Sequence, residues 1–296
     1  MKLVQFTERS ETNGPLYLGV WEENNLVSLL SAGTLKAFIE QVAGGVDCRE
    51  LCRTLRETSD KTYDPAAIRL EAPLHNPGKM IFIGLNYFDH AAESNMAVPK
   101  VPVLFPKYAN SIAGPEDEVV IPPEVAQCDY EVELAVIIGK PAKRVSPEEA
   151  LEYVFGYTIV NDVSARDIQL SEGQWTRGKA IDTFAPMGPC IVTKDAVADP
   201  CALELSLTLN GQTMQTGNTR DLIFNIPYLI SFLSQTITLA PGDIISTGTP
   251  PGVGMGKNPP VWLKDGDITE AYVQGIGSLR SRYVQSRVPI QPVSQN

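Results

Sequence analysis

Two glutamates, Glu131 and Glu133, stand two residues apart in the stretch DYEVELAVIIG, residues 129–139. Side chains of a β-strand alternate between two faces, so both carboxylates lie on one face, about 7 Å apart along the strand. The residues that follow, AVIIG, are apolar on both faces, which favours an interior strand. Two like charges on a half-buried face repel each other and lose hydration, and a bound cation would offset both effects. The alternative is a pair of acids at the exposed mouth of a sheet.

A third carboxylate, Asp162, ends the next predicted strand, FGYTIVND at 155–162. The intervening segment holds a predicted helix that opens at a capping box in residues 146–149 and runs to about residue 154. The chain can therefore return beside the glutamate strand. Three carboxylates with no Cys or His nearby form an all-oxygen ligand set that suits Mg²⁺, Mn²⁺ or Ca²⁺ and not zinc. Three protein ligands also leave positions open for water and a chelating substrate.

His90 and Glu93 are three residues apart and would face the same way on a helical turn. The carboxylate can orient and charge-balance the imidazole, which makes a usable general-base dyad. The segment directly follows a predicted buried strand, where functional sites often form. The alternative is an exposed histidine beside a glutamate with no role.

Three further segments carry groups that suit an anionic substrate. The ammonium of Lys179, in RGKAIDTFAP, could stabilise an enolate or oxyanion, or be a surface lysine. Arg166, in VSARDIQ, is either a carboxylate fork or an ion-pair partner. The loop TGTPPGVG at 247–254 offers backbone amides and two threonine hydroxyls that could hold a carboxylate, and it lacks the lysine of a nucleotide-binding P-loop.

The elements that position these residues divide the chain into three parts. Residues 1–74 predict a small N-terminal α/β domain, residues 75–284 a larger β-rich domain, and residues 285–296 a disordered tail. The small domain contains predicted strands and helices but no chemical motif: strands at 1–7, 16–29 and 68–74, and helices at 34–42 and 48–57. The larger domain has short strands linked by turns, so mixed or antiparallel sheet should dominate, with one long helix at 221–235.

Composition excludes several functional classes. The 296 residues carry a formal net charge of -11, which disfavours a nucleic-acid partner. No apolar run approaches the ~18 residues of a transmembrane helix, and the first residues do not read as a secretory signal. The cysteine number is odd, at five, without disulfide spacing, which favours reduced thiols in an intracellular compartment, cytoplasmic or mitochondrial.

Seven motifs occur in order along residues 76–284: GLNYFDHAAE, FPKYANSIAGPEDEV, DYEVELAVIIGK, VNDVSARDIQ, RGKAIDTFAPMGP, LNGQTMQTGNT and PGDIISTGTPPGVG. Together they resemble the fumarylacetoacetate hydrolase (FAH) superfamily. The N-terminal part is similar to the leader of a longer subgroup, the proteins named FAH-domain-containing protein 2. The resemblance implies an α+β, β-rich fold, an FAH-type mixed β-sandwich roll, assembled as a homodimer.

The resemblance also implies residue roles. A divalent metal, Mg²⁺ or Mn²⁺, would bind Glu131, Glu133 and Asp162. His90 and Glu93 would form the catalytic dyad on a segment that orders over substrate, with Lys179 as the catalytic lysine. Thr249 would lie near the substrate carboxylate, and Arg166 is our second substrate-binding candidate.

The substrate that the resemblance implies is a small 2-oxo or β-diketo acid, whose carboxylate and adjacent carbonyl chelate one metal. The reaction would pass through a stabilised enolate, as in oxaloacetate keto–enol tautomerisation, toward which the subgroup leans, or in acylpyruvate-type C–C hydrolysis. Oxaloacetate decarboxylation and dienedioate isomerisation are alternatives. An alternative of another class is a non-catalytic metal-binding dimer.

Overall fold

The computed structural model describes residues 1–11, 14–93 and 96–287. Strands dominate these ranges: β1 Lys2–Glu8, β2 Tyr17–Trp21, β3 Val27–Ala32, β4 Thr62–Tyr63, β5 Ile68–Glu71, β6 Met80–Gly84, β7 Val103–Lys107, β8 Ile112–Ala113, β9 Glu118–Ile121, β10 Cys128–Asp129, β11 Val132–Ile138, β12 Val154–Asn161, β13 Ser164–Ala165, β14 Ala185–Thr193, β15 Glu204–Leu209, β16 Gln212–Asn218, β17 Ile244–Ser246, β18 Ile268–Val273 and β19 Gly277–Gln285. The helices are short: α1 Leu35–Ala43, α2 Cys48–Arg56, α3 Phe88–Glu93, α4 Arg166–Ser171, α5 Thr176–Lys179 and α6 Ile226–Thr236. Among the described residues, no helix is both long and apolar enough to cross a membrane.

Two sheets build the body of the molecule. One has twelve strands, ten of them in the order β4-β3-β2-β1-β14-β12-β11-β17-β6-β7, with β5 and β8 attached to β1 and β14. The other has five strands in the order β16-β15-β18-β19-β9. Strands β11 and β12 of the first contact β15 and β18 of the second, and an apolar core fills the space between them. The predicted β-rich α+β fold is confirmed.

Strand β11 lies inside the large sheet, between β12 and β17. Leu134 and Val136 belong to the core between the two sheets, whereas Ala135 and Ile137 belong to a second apolar cluster on the other face, which includes Phe38 of α1. The strand is buried along its whole length. The interior position of β11 in the sheet and the alternation of its side chains between two faces are therefore as predicted.

Strand β12 returns antiparallel to β11, with Val132 opposite Asn161. Asp162 follows directly, and its amide donates to the Glu131 carbonyl at 2.8 Å. The helix predicted between these strands was wrong, because only a 3₁₀ turn, Ala150–Tyr153, forms there. The Ser146 hydroxyl donates to the Glu149 carboxylate and no side chain caps a backbone amide at the start of this turn, and β12 begins immediately afterwards.

The N-terminal part shares the central sheet with the rest of the chain. Strand β1 pairs with β2 on one side and with β14 on the other, where Leu3 lies opposite Ile191. The division at residue 74 stays a prediction. Strand β5 is shorter than the predicted strand at 68–74, and Gln285 still belongs to β19. The remainder of the predicted tail, 288–296, lies outside the described residues.

Candidate active site and metal centre

Three acids meet where β11 and β12 run side by side. Glu131 immediately precedes β11, Glu133 lies within it, and Asp162 follows β12. One carboxylate oxygen from each lies within 4.8 Å of the others. All three side chains are buried, so the alternative of an exposed acidic pair is excluded. The structure brings together the three residues predicted as metal ligands.

The Lys179 ammonium lies among these acids, on the short helix α5. Its Nζ is 2.8 Å from Glu131 Oε2 and 2.7 Å from Asp162 Oδ2. The side chain is 2% exposed, which excludes the surface-lysine alternative. Burial lowers the pKa of Lys179, but the two carboxylates outweigh burial and the pKa is raised. Lys179 therefore stays charged at neutral pH.

A second buried ammonium, Lys107 of β7, was not singled out from the sequence. Its Nζ lies 2.6 Å from Asp162 Oδ1 and donates to the carbonyls of Val163 at 2.9 Å and Phe184 at 2.5 Å. Burial lowers its pKa to about 8, although Asp162 opposes the shift. A lysine in a mostly apolar strand carried no sequence signal beyond its place in the motif FPKYANS.

The two glutamates differ in their electrostatic surroundings. Burial and the adjacent charges of Asp162 and Glu131 raise the pKa of Glu133 well above its usual value. For Glu131, burial acts in the same direction, but the charges of Arg166 and Lys179 outweigh it and lower the pKa. A raised carboxyl pKa is what a cluster of buried acids shows before a cation joins it.

The residues present fit a divalent cation. Asp162 Oδ1 is buried and faces the Lys107 ammonium, but no hydrogen bond of good geometry reaches it from the described residues. The donors are all carboxylate oxygens, which Mg²⁺, Mn²⁺ and Ca²⁺ prefer. Glu131 and Asp162 form ion pairs with Arg166, Lys179 and Lys107, whereas Glu133 forms no ion pair among the described residues. A divalent cation would take the place of the proton that the raised pKa keeps on Glu133.

Arg166, the first residue of α4, is held by the protein itself. Its Nε donates to Asp129 Oδ2 at 2.9 Å, its Nη1 to Gln169 Oε1 at 2.9 Å, and its Nη2 pairs with Glu131. Of the two interpretations from the sequence, this geometry favours the ion-pair partner, and direct substrate binding by Arg166 stays a prediction. Asp129 and Gln169 were missed, although Gln169 stands at helical spacing from Arg166 and Asp129 opens the glutamate motif.

The Gly/Pro loop at 247–254 does hold carboxylates, but they belong to the protein. Its amides donate to three different acids: Gly248 to Glu133 at 3.0 Å, Gly252 to Glu93 at 2.9 and 3.1 Å, and Gly254 to Asp129 at 2.7 Å. The Thr249 hydroxyl donates to the Val132 carbonyl at 2.9 Å and accepts from Gln215 at 2.8 Å. The loop therefore orients the site's acids, and a role of Thr249 in substrate binding stays a prediction.

The predicted dyad lies on α3, at the rim of the same site. His90 Nδ1 is 3.6 Å from Glu93 Oε2, which is too long for a hydrogen bond, and this buried nitrogen has no partner among the described residues. Burial opposes ionisation of Glu93, but His90 and the Gly252 amide lower its pKa. Glu93 is thus an anion held in place beside a buried imidazole.

A narrow cavity of about 30 Å³ joins these groups. Its walls combine polar residues of the site with apolar side chains: His90, Glu131, Glu133, Arg166, Gln169, Lys179 and Thr249 with Ile83, Leu85, Met96, Phe105, Leu170, Trp175 and Met255. Two larger cavities, about 1240 and 480 Å³, contain none of the predicted site residues. Chemistry and not size therefore locates the candidate active site.

Comparison with known proteins gives concordant matches. The family model described as "Fumarylacetoacetate (FAA) hydrolase C-terminal" matches residues 79–284. The human protein "Oxaloacetate tautomerase FAHD2A, mitochondrial" is 47% identical over 291 residues, covering 96% of this chain and 92% of its own. The fumarylacetoacetate hydrolase of Exiguobacterium antarcticum superposes with a TM-score of 0.81 at 36% identity, covering 97% of this chain and 100% of its own.

A second solved structure carries ligands. It is the maleylpyruvate hydrolase of Sphingobium sp. SYK-6 in complex with manganese(II) and pyruvate, with a TM-score of 0.79 at 32% identity. The match covers 97% of this chain and 100% of that one.

Proposed function

We propose that this chain, which belongs to the fumarylacetoacetate hydrolase family, is a metal-dependent tautomerase that interconverts the keto and enol forms of oxaloacetate. One observation carries the proposal: three buried carboxylates meet beside a charged lysine, and two of them, Glu131 and Glu133, line one cavity with His90 and Lys179. The name of the human relative directs the choice of oxaloacetate.

Glu131, Glu133 and Asp162 would hold the metal. A bound divalent cation supplies Lewis-acid polarisation of the 2-oxo group and a chelating position for the adjacent carboxylate. Mg²⁺ is our first choice, with Mn²⁺ and Ca²⁺ as alternatives, and the manganese in the Sphingobium structure supports a divalent ion of this kind. The buried carboxylates would repel a dianion such as oxaloacetate, and a bound divalent cation would offset that repulsion.

His90 would move the proton. Its Nδ1 faces Glu93, which leaves Nε2 to take a proton from the carbon between the two carbonyl groups of keto oxaloacetate and to deliver it to the enolate oxygen, which gives the enol. The reverse transfer, from the enol oxygen to that carbon, restores the keto form. The Glu93 anion stabilises the imidazolium that forms. Because the Gly252 amide holds Glu93 in place, the pair is preorganised for this exchange.

Lys179 would stabilise the enolate oxygen. Its raised pKa keeps the ammonium charged, and a buried cation interacts more strongly with a developing anion than a solvated one. Gln169 lines the same cavity and uses its Oε1 for Arg166, so its amide nitrogen remains to donate to the second carboxylate of the substrate.

Hydrolysis of a short acylpyruvate is the second candidate, supported by the name of the Sphingobium enzyme. It would use the same groups but needs His90 to activate a water within reach of the distal carbonyl. Oxaloacetate decarboxylation and dienedioate isomerisation share the enolate. A non-catalytic metal-binding dimer is disfavoured, since a binding site has no need of a buried, unpartnered base.

The first experiment is an ultraviolet time course on purified protein with enol oxaloacetate, keto oxaloacetate and acetylpyruvate. Each runs with Mg²⁺, with Mn²⁺ and with EDTA, and pyruvate is measured in parallel. We expect metal-dependent loss of the enol absorbance without pyruvate. Metal-dependent pyruvate release would instead assign a hydrolase or a decarboxylase, according to the substrate that yields it.

Two variants distinguish the role of a general base from that of a metal ligand. His90→Asn should abolish turnover and keep Mn²⁺ binding, whereas Glu131→Gln should weaken Mn²⁺ binding itself. The matched controls are exposed residues of the same types, His75→Asn and Glu270→Gln, and both should behave as the wild type. Full activity in His90→Asn would show that His90 is not the general base. Unchanged Mn²⁺ affinity in Glu131→Gln would show that Glu131 is not a metal ligand.

Location and assembly complete the proposal. Five free cysteines suit a reducing intracellular compartment, and the name of the human relative places that protein in mitochondria. We propose a mitochondrial or cytoplasmic homodimer acting on a small 2-oxo acid, with neither nucleic acid nor membrane as a partner. Light scattering tests the dimer.

A further inference from the structure

The structure assigns a specificity role to Trp175, which lies against Gly84: the indole is a fixed wall that limits how long a group the substrate carries beyond its 2-oxo acid. The inference rests on the proposed function and narrows it to short acids. Trp175 and Gly84 both line the cavity that is also lined by Glu131, Glu133, Lys179 and His90.

Gly84 makes room for the indole. A Cβ atom on Gly84 would lie 2.4 Å from Cζ3 and 3.1 Å from Cη2 of Trp175. The first distance is far below a van der Waals contact, so any other residue at the end of β6 would force the ring away. Glycine and tryptophan thus form a matched pair, one at the end of a strand and the other just before α5.

The indole also packs on the neighbouring strand β7, and its backbone is held by hydrogen bonds. Its ring meets Phe105 edge-on, with centroids 5.6 Å apart and an interplanar angle of 63°. The Trp175 carbonyl accepts from the Gly178 amide at 3.0 Å and from the Lys179 amide at 3.1 Å. The turn that places the lysine among the acids therefore also places the wall.

Two other lining residues are less tightly held. Leu170 is 50% exposed and Met96 is 39% exposed, so both side chains have solvent beside them into which they can turn. A cavity of about 30 Å³ is far smaller than the several hundred Å³ common for ligand pockets, so a substrate must displace part of the wall. It displaces Leu170 and Met96, while Trp175, packed on β6 and β7 at Gly84 and Phe105, stays.

Trp175→Ala tests the wall, with Trp21→Ala, a partly buried tryptophan in the N-terminal part, as the matched control. The probes are oxamate and N-alkyl oxamates of increasing chain length, which offer a carboxylate and an adjacent carbonyl as a 2-oxo acid does. Binding is measured with Mn²⁺ present, by calorimetry. In the wild type and in Trp21→Ala, affinity should fall by about tenfold or more from oxamate to N-hexyloxamate, and in Trp175→Ala this ratio should shrink to less than about threefold.

Two further results keep the test decisive. Trp175→Phe retains an aromatic wall of smaller reach and should give an intermediate ratio, which covers the case that Trp175→Ala does not fold. An undiminished ratio in both variants, or no dependence on chain length in the wild type, would overturn the inference. The wild type could bind oxamates with this length dependence and still leave enol oxaloacetate unchanged. That result would refute the proposed tautomerase activity but not the role of Trp175 in limiting substrate length.

Discussion

Asp129 offers a sharp test of how the site is held together, because one buried carboxylate joins three segments. Its Oδ1 accepts from the amides of Tyr130 at 2.8 Å and Gly254 at 2.7 Å. Its Oδ2 accepts from Arg166 Nε at 2.9 Å and from the Met255 amide at 3.1 Å. The side chain is fully buried. We predict that Asp129→Asn, which preserves the shape, strongly destabilises the protein.

The magnitude follows from the four accepted bonds. Whichever way the asparagine amide is placed, its NH₂ group faces two donors that had been satisfied. Each buried donor left unpaired costs about 1–3 kcal/mol, and Arg166 also loses one of its two charge partners. The sum is about 3–5 kcal/mol in the free energy of unfolding, the range found when a buried ion pair is broken on one side.

Urea unfolding of the metal-free protein measures this change. With an m-value of about 3 kcal/mol/M, the midpoint should fall by roughly 1–1.7 M. The matched control is Asp60→Asn, since Asp60 is exposed, and its midpoint should not move. An Asp129→Asn midpoint within about 0.3 M of the wild type would refute the view that this carboxylate ties the loop at 250–256 to Arg166.

Three further predictions concern Lys107, Gly252 and Glu133. Lys107→Met removes a buried ammonium and should lower the free energy of unfolding by about 3–5 kcal/mol in urea, and a loss under about 1 kcal/mol would contradict its pairing. Gly252→Ala should lose several-fold more stability than Gly266→Ala in the same assay, because both glycines have positive φ but only at Gly252 would a Cβ meet backbone, 2.1 Å from the Met214 carbonyl oxygen. Equal losses of stability in the two variants would mean that the positive φ alone, and not the contact with the Met214 carbonyl, sets the cost at Gly252. The raised pKa of Glu133, due first to burial and then to its neighbouring acids, keeps a proton on it that Mn²⁺ must displace. Mn²⁺ affinity should therefore rise as pH increases above the ordinary carboxyl value of 4.5, with proton release visible by calorimetry in two buffers and absent in Glu133→Gln.

Short-range periodicity was enough to predict the centre of the site. The alternation of side chains along a strand depends only on local backbone geometry, so Glu131 and Glu133 could be placed on one face from their spacing. An antiparallel return over a short connection then brought Asp162 beside them, as β12 does. The prediction for the connection itself was wrong: a capping-box pattern favours a helix, but the two side chains of that box bond to each other.

The family motifs predicted more residues than the spacing alone could, but not their partners. His90, Lys179, Arg166 and Thr249 line one cavity, and Glu93 lies 3.6 Å from His90. Which acid each group faces depends on how distant segments pack together, and the spacing of residues along the sequence does not reveal that packing. Lys107 is the clearest case, because its partner Asp162 lies on a different strand and its burial depends on the sheet order.

Tertiary structure alone decided how the site is closed and supported. The amides of the loop at 247–254 meet three acids from two separate segments only because β17 lies between β11 and β6. Likewise, nothing in the sequence distinguishes Gly84 from any other glycine at the end of a strand. Its role becomes visible only in the structure, where the Trp175 ring packs against it. Local periodicity determined which side chains share a face, whereas the packing of segments far apart in the chain determined which charges are buried together, and hence the pKa values and the shape of the cavity.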